Sequence, residues 1–575
     1  MKRHLLSNLK LKGNIILGFS ISFMTWMSCA SISQPTGGPK DSIPPSIISS
    51  TPKDQSIDFT GDRIKLTFDE WVQLNNPTKE MIITPDLGGK VMTKLKGKSV
   101  EIRFLQPLDS NTTYTINFQN SIQDVTEKNS LSLNQETFSF STGNYLDSIV
   151  ASGESRDILT DKEVKNTVIA LYRANDTLTI FNDRPYYFTK IREEKDRPQR
   201  TPRRRGVEIP EEKGGKFKIP NLKAGEYFVY AFNDANENLK YDPQTEGIGF
   251  LVDPIRIDSN IYDLDIPLVL MDERELEIQK AVASGPYFQI GFNKYIDTFN
   301  IKSDRSLIYN LLSDNKTIQF YNLDSLGEED SIKLEVFAMD SLTNKTDSTL
   351  YMKFRESRRK PAELEESFDP GKRKYITHNF KAEYSFSKPL KEVITDSIFF
   401  YYDSLNTIEI TEEDLTFNNT RNHVTLEKNI ELDTILYDSI PITEFNKVLL
   451  YGGRGAFVTI ENDSSSEIQK AFTFAKEELV GSLAGSITTE EPNYIIQLLN
   501  AKYELYDQQY NGEEYFFRDL DPGEYRIRII VDKNGNGRWD PGNILTKTPP
   551  EPVYFFKDKV IVRANWEIGN INLDF

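Results

Sequence analysis

Apolar and polar residues alternate in short runs along most of the chain. Ile64, Leu66 and Phe68 flank Lys65 and Thr67, and the same spacing returns at Val100, Ile102 and Phe104, at Tyr114, Ile116 and Phe118, and at Phe138 and Phe140. A period of two over short runs separated by turn residues predicts half-buried strands, with one face of each sheet on a core. Residues 46–143 therefore read as one β-sandwich. Further strands are expected at 287–292, 332–338 and 397–402, with apolar alternation at Phe380, Ala382, Tyr384 and Phe386 and at Phe472 and Phe474. These give sandwiches over 283–360 and 374–477. Residues 272–282 are expected to form a short helix, 355–373 a charged linker, and 566–575 a closing strand.

Two segments repeat each other. At a constant offset of 298, Leu222, Gly225, Glu226, Tyr227, Asp234, Asn236, Asn238, Asp242 and Pro243 match Leu520, Gly523, Glu524, Tyr525, Asp532, Asn534, Asn536, Asp540 and Pro541. Residues 147–270 and 479–575 are thus two copies of one β unit, each expected to turn tightly at Gly225 or Gly523 and run into a buried strand. Upstream they differ: Gly153 to Gly225 is 72 residues, Gly485 to Gly523 only 38. The excess carries Lys190, Arg192, Lys195, Arg197, Arg200, Arg203, Arg204 and Arg205, broken by Pro198 and Pro202, a composition that forms no core.

Two resemblances follow from these residues. Pro44-Pro45, Ile64 to Glu70, Leu108, Thr113 to Ile116, Asp124 and Phe138 to Gly143 resemble the SbsA-type bacterial Ig-like domain. Joined to the run Pro35-Thr36-Gly37-Gly38-Pro39-Lys40-Asp41, they resemble the N-terminal part of an outer-membrane lipoprotein family with no established activity. The Gly-Glu-Tyr strand followed by an Asp/Asn loop resembles the transthyretin-like, carboxypeptidase-regulatory Ig-like fold. The expected class is all-β: an elongated multidomain chain of tandem Ig-like and transthyretin-like sandwiches.

The N-terminus places this chain. Lys2, Arg3, Lys10 and Lys12 precede an uncharged apolar stretch from Asn14 to Met27. That is shorter than the ~20 residues of a spanning helix and fits a signal h-region. Cys29, the only cysteine in 575 residues, follows Trp26-Met27-Ser28. This resembles a lipobox, with Ser28 at the small-residue site and Trp26 where the family prefers Leu. Residues 1–28 are read as a lipoprotein signal peptide, Cys29 as the lipidation site and 29–45 as a tether. Three acyl chains, at about 0.8 kcal/mol per buried CH₂, would make the anchor close to permanent.

Composition narrows the chemistry. Removing residues 1–28 takes away four basic and no acidic residues, moving the net charge from −18 to −22. So acidic a body argues against nucleic acid as a partner. With Cys29 acylated no disulfide forms, and with only His4, His378 and His423 a His-ligated zinc centre is nearly excluded. There is no Gly-x-Ser-x-Gly elbow and no phosphate-cradling glycine loop, and Asp69-Glu70 reads as a solvent-facing strand end. The chain is expected not to be an enzyme.

Three groups of candidate site residues remain. Asp532, Asn534, Asn536 and Asp540, with Gly537 at position 6, match the first part of a calcium loop, and Asp234, Asn236, Asn238 and Asp242 match it more weakly. The bidentate Glu at position 12 is replaced by Asn543 and Thr245; the alternative is that Asp and Asn cap a tight turn. Arg197, Arg200, Arg203, Arg204 and Arg205 form a basic insert able to contact an anionic partner, or a solvated loop. Asp-Ser/Thr-apolar tripeptides recur well beyond the roughly three expected, ten of them ending in Ile or Leu. They offer Ser42, Ser148, Thr177, Ser325, Ser331, Ser341, Ser397, Ser404, Thr434 and Ser439 as sites resembling an O-glycan acceptor motif, or as strand starts.

The expected function is a non-catalytic scaffold, lipid-anchored to the outer membrane with the periplasmic face favoured, contacting other envelope proteins and taking no small-molecule substrate. Calcium is the one candidate cofactor. The alternative is a surface-displayed carbohydrate-binding or adhesive lipoprotein, which the presence of only Trp71, Trp539 and Trp566 beyond the signal argues against.

Overall fold

A computed structural model describes residues 41–575 apart from 133, 192–214, 244, 271, 273, 324–325, 327–330, 378, 402–406, 431–435, 438–439, 442–446 and 477. The chain is nearly all-β, with 50% of it in strands and 2% in helix.

In the first sandwich, one sheet runs in the order Ile47–Thr51, Arg63–Phe68, Ser99–Phe104, Val91–Lys96, and the facing sheet joins Ile82–Thr84, Thr113–Asn117 and Thr137–Ser141. Ile64 pairs with Ile102 and Leu66 with Val100. The alternating apolar set therefore lands on one face, and all of it is buried. Tyr114 stacks on Phe140 with ring centroids 5.6 Å apart. Asp124 is also fully buried. Its carboxylate accepts hydrogen bonds from the backbone N–H groups of Glu127 (2.7 Å), Lys128 (2.8 Å) and Asn129 (3.2 Å) and from the Asn129 side chain (2.7 Å). The residue thus holds the 124–129 turn shut.

The two repeat copies share one strand order. Gly215–Leu222, Ile149–Ser155 and Ile261–Asp265 form a sheet in the second sandwich, as Glu514–Leu520, Gly481–Thr488 and Glu567–Ile568 do in the fifth. Facing them, Tyr187–Lys190, Thr167–Arg173, Gly225–Asn233 and Gly247–Phe250 correspond to Leu505–Tyr510, Tyr494–Asn500, Gly523–Val531 and Val553–Phe555. Gly153 and Gly485 lie where a neighbouring backbone crosses: a Cβ there would come within 1.9 Å of the Leu264 carbonyl oxygen and 1.8 Å of that of Ile571. Tyr227 and Tyr525 each donate a hydrogen bond back to a carbonyl four residues upstream, Lys223 (2.9 Å) and Asp521 (2.8 Å), the pattern of a tyrosine corner.

Several local expectations need correction. The turn before each Gly-Glu-Tyr strand does not use its glycine: the left-handed residues are Asn221 (φ 55°) and Asp519 (φ 52°), since asparagine and aspartate tolerate that conformation. The described residues of 272–282 do not form a helix. Ile278–Ser284 is a strand in a hairpin with Tyr287–Phe292, closed by Gly285-Pro286 with Gly285 at φ 63°, as a glycine-first two-residue turn requires. The 355–373 linker contains Glu366–Asp369, which pairs with Asn379–Phe386. The last ten residues hold two short strands, Glu567–Ile568 and Leu573–Asp574, each parallel to Gly481–Thr488.

Candidate functional site

The repeated Asp/Asn loops follow directly from a buried strand into an acidic hairpin. In the fifth sandwich, Asp532 accepts from the backbone N–H of Asn536 (3.0 Å) and Gly537 (2.7 Å). The side-chain amides of Asn534 (2.5 Å) and Asn536 (2.8 Å) both donate to Asp540, so the four expected residues do converge. In the second sandwich, Asp234 accepts from Asn238 N (2.9 Å) and Leu239 N (3.0 Å), and Asn236 from Asn238 N (3.1 Å). Among the described residues no group of three or more His, Cys, Asp or Glu side chains is gathered so as to hold a metal ion.

Each loop has a further member that the sequence reading missed. Glu246 accepts from Ala235 N and Asp242 N, both at 2.9 Å. Glu551 accepts from Lys533 N (2.7 Å) and Asp540 N (2.9 Å). The two glutamates clamp corresponding backbone groups, yet they lie outside the offset of 298 because the fifth sandwich has seven more residues before its glutamate. Burial pushes both carboxyl groups above the usual glutamate range, more than their hydrogen bonds lower them.

The second loop also serves a contact between copies. Val168, Ala170 and Tyr172 point away from the second sandwich's own core and are fully buried. They form another apolar cluster with Phe232 and Ile248, joined by Ile82 of the first sandwich and by Ile544, Trp539 and Val553 of the fifth, with Leu342 of the third packed against it. Arg528 donates to the Leu159 carbonyl oxygen (2.5 Å) across this contact and to the Gln497 amide oxygen (2.8 and 2.6 Å) within its own sheet. Lys162 lies 4.0 Å from the Tyr503 ring centroid and Lys547 4.6 Å from that of Phe228. A signal for this contact was present. Val168 to Tyr172 and Tyr494 to Leu499 are near-continuous apolar runs rather than alternating ones, the mark of a strand buried on both faces.

Charged and polar groups fasten the other junctions. Arg184 bonds Asp86 at 2.9 Å, and Asn221 donates to Thr115 (2.8 Å) and Ser139 (2.9 Å), tying the second sandwich to the first. Buried Lys294 pairs with buried Asp340 and donates to the carbonyl of Asp272 (3.0 Å). Lys388, 1% exposed, pairs with Glu461 (2.8 Å) and Asp463 (2.6 Å), while Tyr287 of the third sandwich donates to Glu461 (3.1 Å). Burial opposes the Lys388 charge, and the two carboxylates outweigh it, so its pKa stands above the ordinary lysine value. Arg373 bonds Asp507 (2.6 Å), and Arg538 bonds Asp297 (2.7 Å).

The remaining candidates scatter. Ser42, Ser148, Thr177, Ser331 and Ser341 are exposed, and Ser397 is half-buried in a 3₁₀ turn. Ser325, Ser404, Thr434 and Ser439, the signal, Cys29, and Arg197, Arg200, Arg203, Arg204 and Arg205 lie outside the described residues. Asp69 is exposed and accepts from Ser46 N (2.9 Å). His423 Nδ1 lies 2.9 Å from Ser385 Oγ, but no carboxylate bonds this histidine among the described residues, so the pair lacks the group that would orient a general base. No described helix is long and apolar enough to cross a membrane.

No curated protein matches the sequence. Among solved structures, dimeric latent PorU from Porphyromonas gingivalis aligns with 54% of this chain at 8% identity and TM-score 0.21, and this chain spans about a third (36%) of it. The major pilin subunit BcpA of Bacillus cereus aligns with 74% of this chain and 99% of its own at 8% identity and TM-score 0.13. Domains 1–6 of the surface-layer protein SbsC align with 84% of this chain and 64% of theirs at 9% identity and TM-score 0.13. The sequence match is more local: residues 41–142 fit the bacterial Ig-like domain family.

Proposed function

We propose that the chain is a non-catalytic scaffold, anchored by lipid at Cys29 to the outer membrane, that holds contact surfaces for other envelope proteins in a fixed arrangement. The observation that carries this reading is the return of the fifth sandwich onto the second, where four sandwiches contribute to one buried cluster. An enzyme would concentrate perturbed groups in one cleft. Here the buried pairs of Lys294 and Lys388 reach beyond their own sandwiches, Lys294 bonding the Asp272 carbonyl in the segment after the second and Glu461, the partner of Lys388, bonding Tyr287 of the third. They serve to fix orientation.

The lipid would confine this body to a bilayer surface, on the periplasmic face. The residues that flank the basic insert touch: a Cβ on Gly215 would lie 2.4 Å from the Ile191 side chain. Beside them, Gln119 of the first sandwich lies 3.4 Å from the Lys190 carbonyl. The arginines of the insert would meet an acidic protein face. We read the two repeat copies as transthyretin-like modules whose second sheet faces were recruited to pack on each other.

Affinity purification of the full chain from native membranes in mild detergent tests the reading. Co-purification of a defined set of outer-membrane proteins is expected, with acyl label on the wild type and none on Cys29→Ser. Recovery as a free monomer without lipid would refute it.

A further inference from the structure

The first sandwich gathers its positive charge on one sheet. In Arg63–Phe68 and Ser99–Phe104 the residues Ile64, Leu66, Val100 and Ile102 are buried in the core, so the residues between them line the outer face. There Arg63 pairs with Arg103, and Arg103 with Met92. In the next row Lys65, Glu101 and Lys94 stand side by side, and Lys96 lies opposite Ser99. Residues 46–143 hold ten basic and twelve acidic residues. Five of the ten, Arg63, Lys65, Lys94, Lys96 and Arg103, are on this face, against two of the twelve, Asp62 and Glu101. We propose that the face lies on the anionic phospholipid headgroups of the bilayer that holds the lipid anchor.

Two observations say what covers it. The second sandwich packs on the opposite sheet: Asn221 donates to Thr115 (2.8 Å) and Ser139 (2.9 Å), and Ile82 joins the shared apolar cluster. The basic face therefore points away from the second sandwich, and all five of its basic residues are exposed. The tether enters the same sheet, because Ile47–Thr51 is its edge strand. The chain from Cys29 to Ile47 reaches at most about 60 Å, so the acyl chains would keep this sheet beside the membrane. Ile48 (63% exposed) and Met92 (50%) lie among the charges and offer apolar groups to the headgroup layer.

The face carries positive charge in excess. Asp62 accepts from Arg63 (2.9 Å) and Arg103 (3.2 Å), and Glu101 from Lys96 (2.5 Å). Among the described residues no ion pair holds Lys65 or Lys94, which flank Glu101 across the sheet. The body as a whole is strongly acidic, but exposed charges more than about 10 Å apart are largely screened in 0.1 M salt. At contact the lysines and arginines decide the attraction, and the acidic remainder is repelled from the same lipids. The acyl chains fix how far the body can move from the bilayer; the basic face fixes which side is turned toward it.

The proposal rests on the reading of Cys29 as the lipid site, and its test leaves the lipid out, so the two fail separately. Residues 29–575 carrying Cys29→Ser are sedimented with phosphatidylcholine vesicles containing about one third phosphatidylglycerol, and with phosphatidylcholine alone. Binding to the anionic vesicles alone is expected at low salt, and its loss in about 1 M salt, where the Debye length falls to about 3 Å. Lys65→Gln combined with Lys94→Gln should bind at least tenfold more weakly, at about fivefold for each lysine near the surface. Lys65→Arg with Lys94→Arg should bind like the parent chain. So should Lys302→Gln with Lys353→Gln, the same charge change on exposed residues of the third sandwich. No binding to the anionic vesicles overturns the proposal, as do equal binding to both vesicles and equal losses in the two glutamine pairs. Tighter retention on immobilised casein, an acidic protein, than on the anionic vesicles overturns it as well. Absence of acyl label at Cys29 in cells would refute the anchor and leave the vesicle result standing.

Discussion

Arg528 in the last sandwich hydrogen-bonds the carbonyl oxygen of Leu159 in the second, 369 residues earlier in the chain. Burial depresses the pKa of this guanidinium, yet an arginine stays charged, so the contact holds a positive charge satisfied by an amide and a carbonyl. Charged hydrogen bonds contribute about 1.5–3 kcal/mol each, and orphaning their partners costs more. Arg528→Ala should weaken the docking of the fifth sandwich by about 3 kcal/mol. Limited proteolysis is expected to cleave between the fourth and fifth sandwiches in the variant, with the wild type resisting under the same conditions.

Asp124 gives a pH dependence of known sign. Burial works to raise its pKa, and the hydrogen bonds from Glu127, Asn129, Lys128 and Thr126 outweigh burial and hold it below its ordinary value of 3.8. A depressed folded-state pKa contributes stability that is present above the unfolded value and lost as pH falls through the folded one. Asp124→Ala should destabilise the first sandwich by about 3 kcal/mol at neutral pH. Denaturation followed from pH 7 to 2 should show a shallower acid limb in the variant than in wild type.

Gly485 and Gly523 separate two roles of glycine. A Cβ at 485 would lie 1.8 Å from a backbone oxygen, whereas at 523 its nearest neighbour is a ring carbon of Tyr525 at 3.8 Å. Gly485→Ala should cost about 3 kcal/mol through forced separation of the parallel strands, and Gly523→Ala about 0.5 kcal/mol. Equal losses in chemical denaturation would contradict the assigned geometry.

Calorimetry with calcium chloride on the full chain decides how Asp532–Asp540 works. Its side chains and Glu551 hold the loop by hydrogen bonds, and the melting temperature is expected not to change between calcium and chelator. Glu551→Ala should destabilise the hairpin by about 2 kcal/mol, because the Lys533 and Asp540 N–H groups lose their acceptor. A calcium-dependent rise of several degrees in wild type would instead support calcium binding at this loop.

Strand identity was largely legible because burial on one face imposes a period of two, and every apolar residue of that pattern in the first sandwich is in the core. The repeat was legible because its landmarks answer to geometry: Tyr227 and Tyr525 bond upstream carbonyls, and Asp234 and Asp532 close loops. What escaped was whatever depends on residues distant in sequence. Glu246 and Glu551 fell out of register through an insertion. The partner of Val168, Ala170 and Tyr172 was not legible, since periodicity says that a strand is buried on both faces but not by what. The Ile278–Ser284 hairpin was misread as helical although Gly285-Pro286 marked its turn.

The most direct test is the distance between the second and fifth sandwiches in solution. Spin labels at Asn175→Cys and Thr546→Cys, both exposed, in a Cys29→Ser background would be read by pulsed dipolar spectroscopy. A closed body predicts one narrow distance distribution that broadens when Arg528→Ala is added. A broad distribution in the parent chain, unchanged by Arg528→Ala, would contradict it.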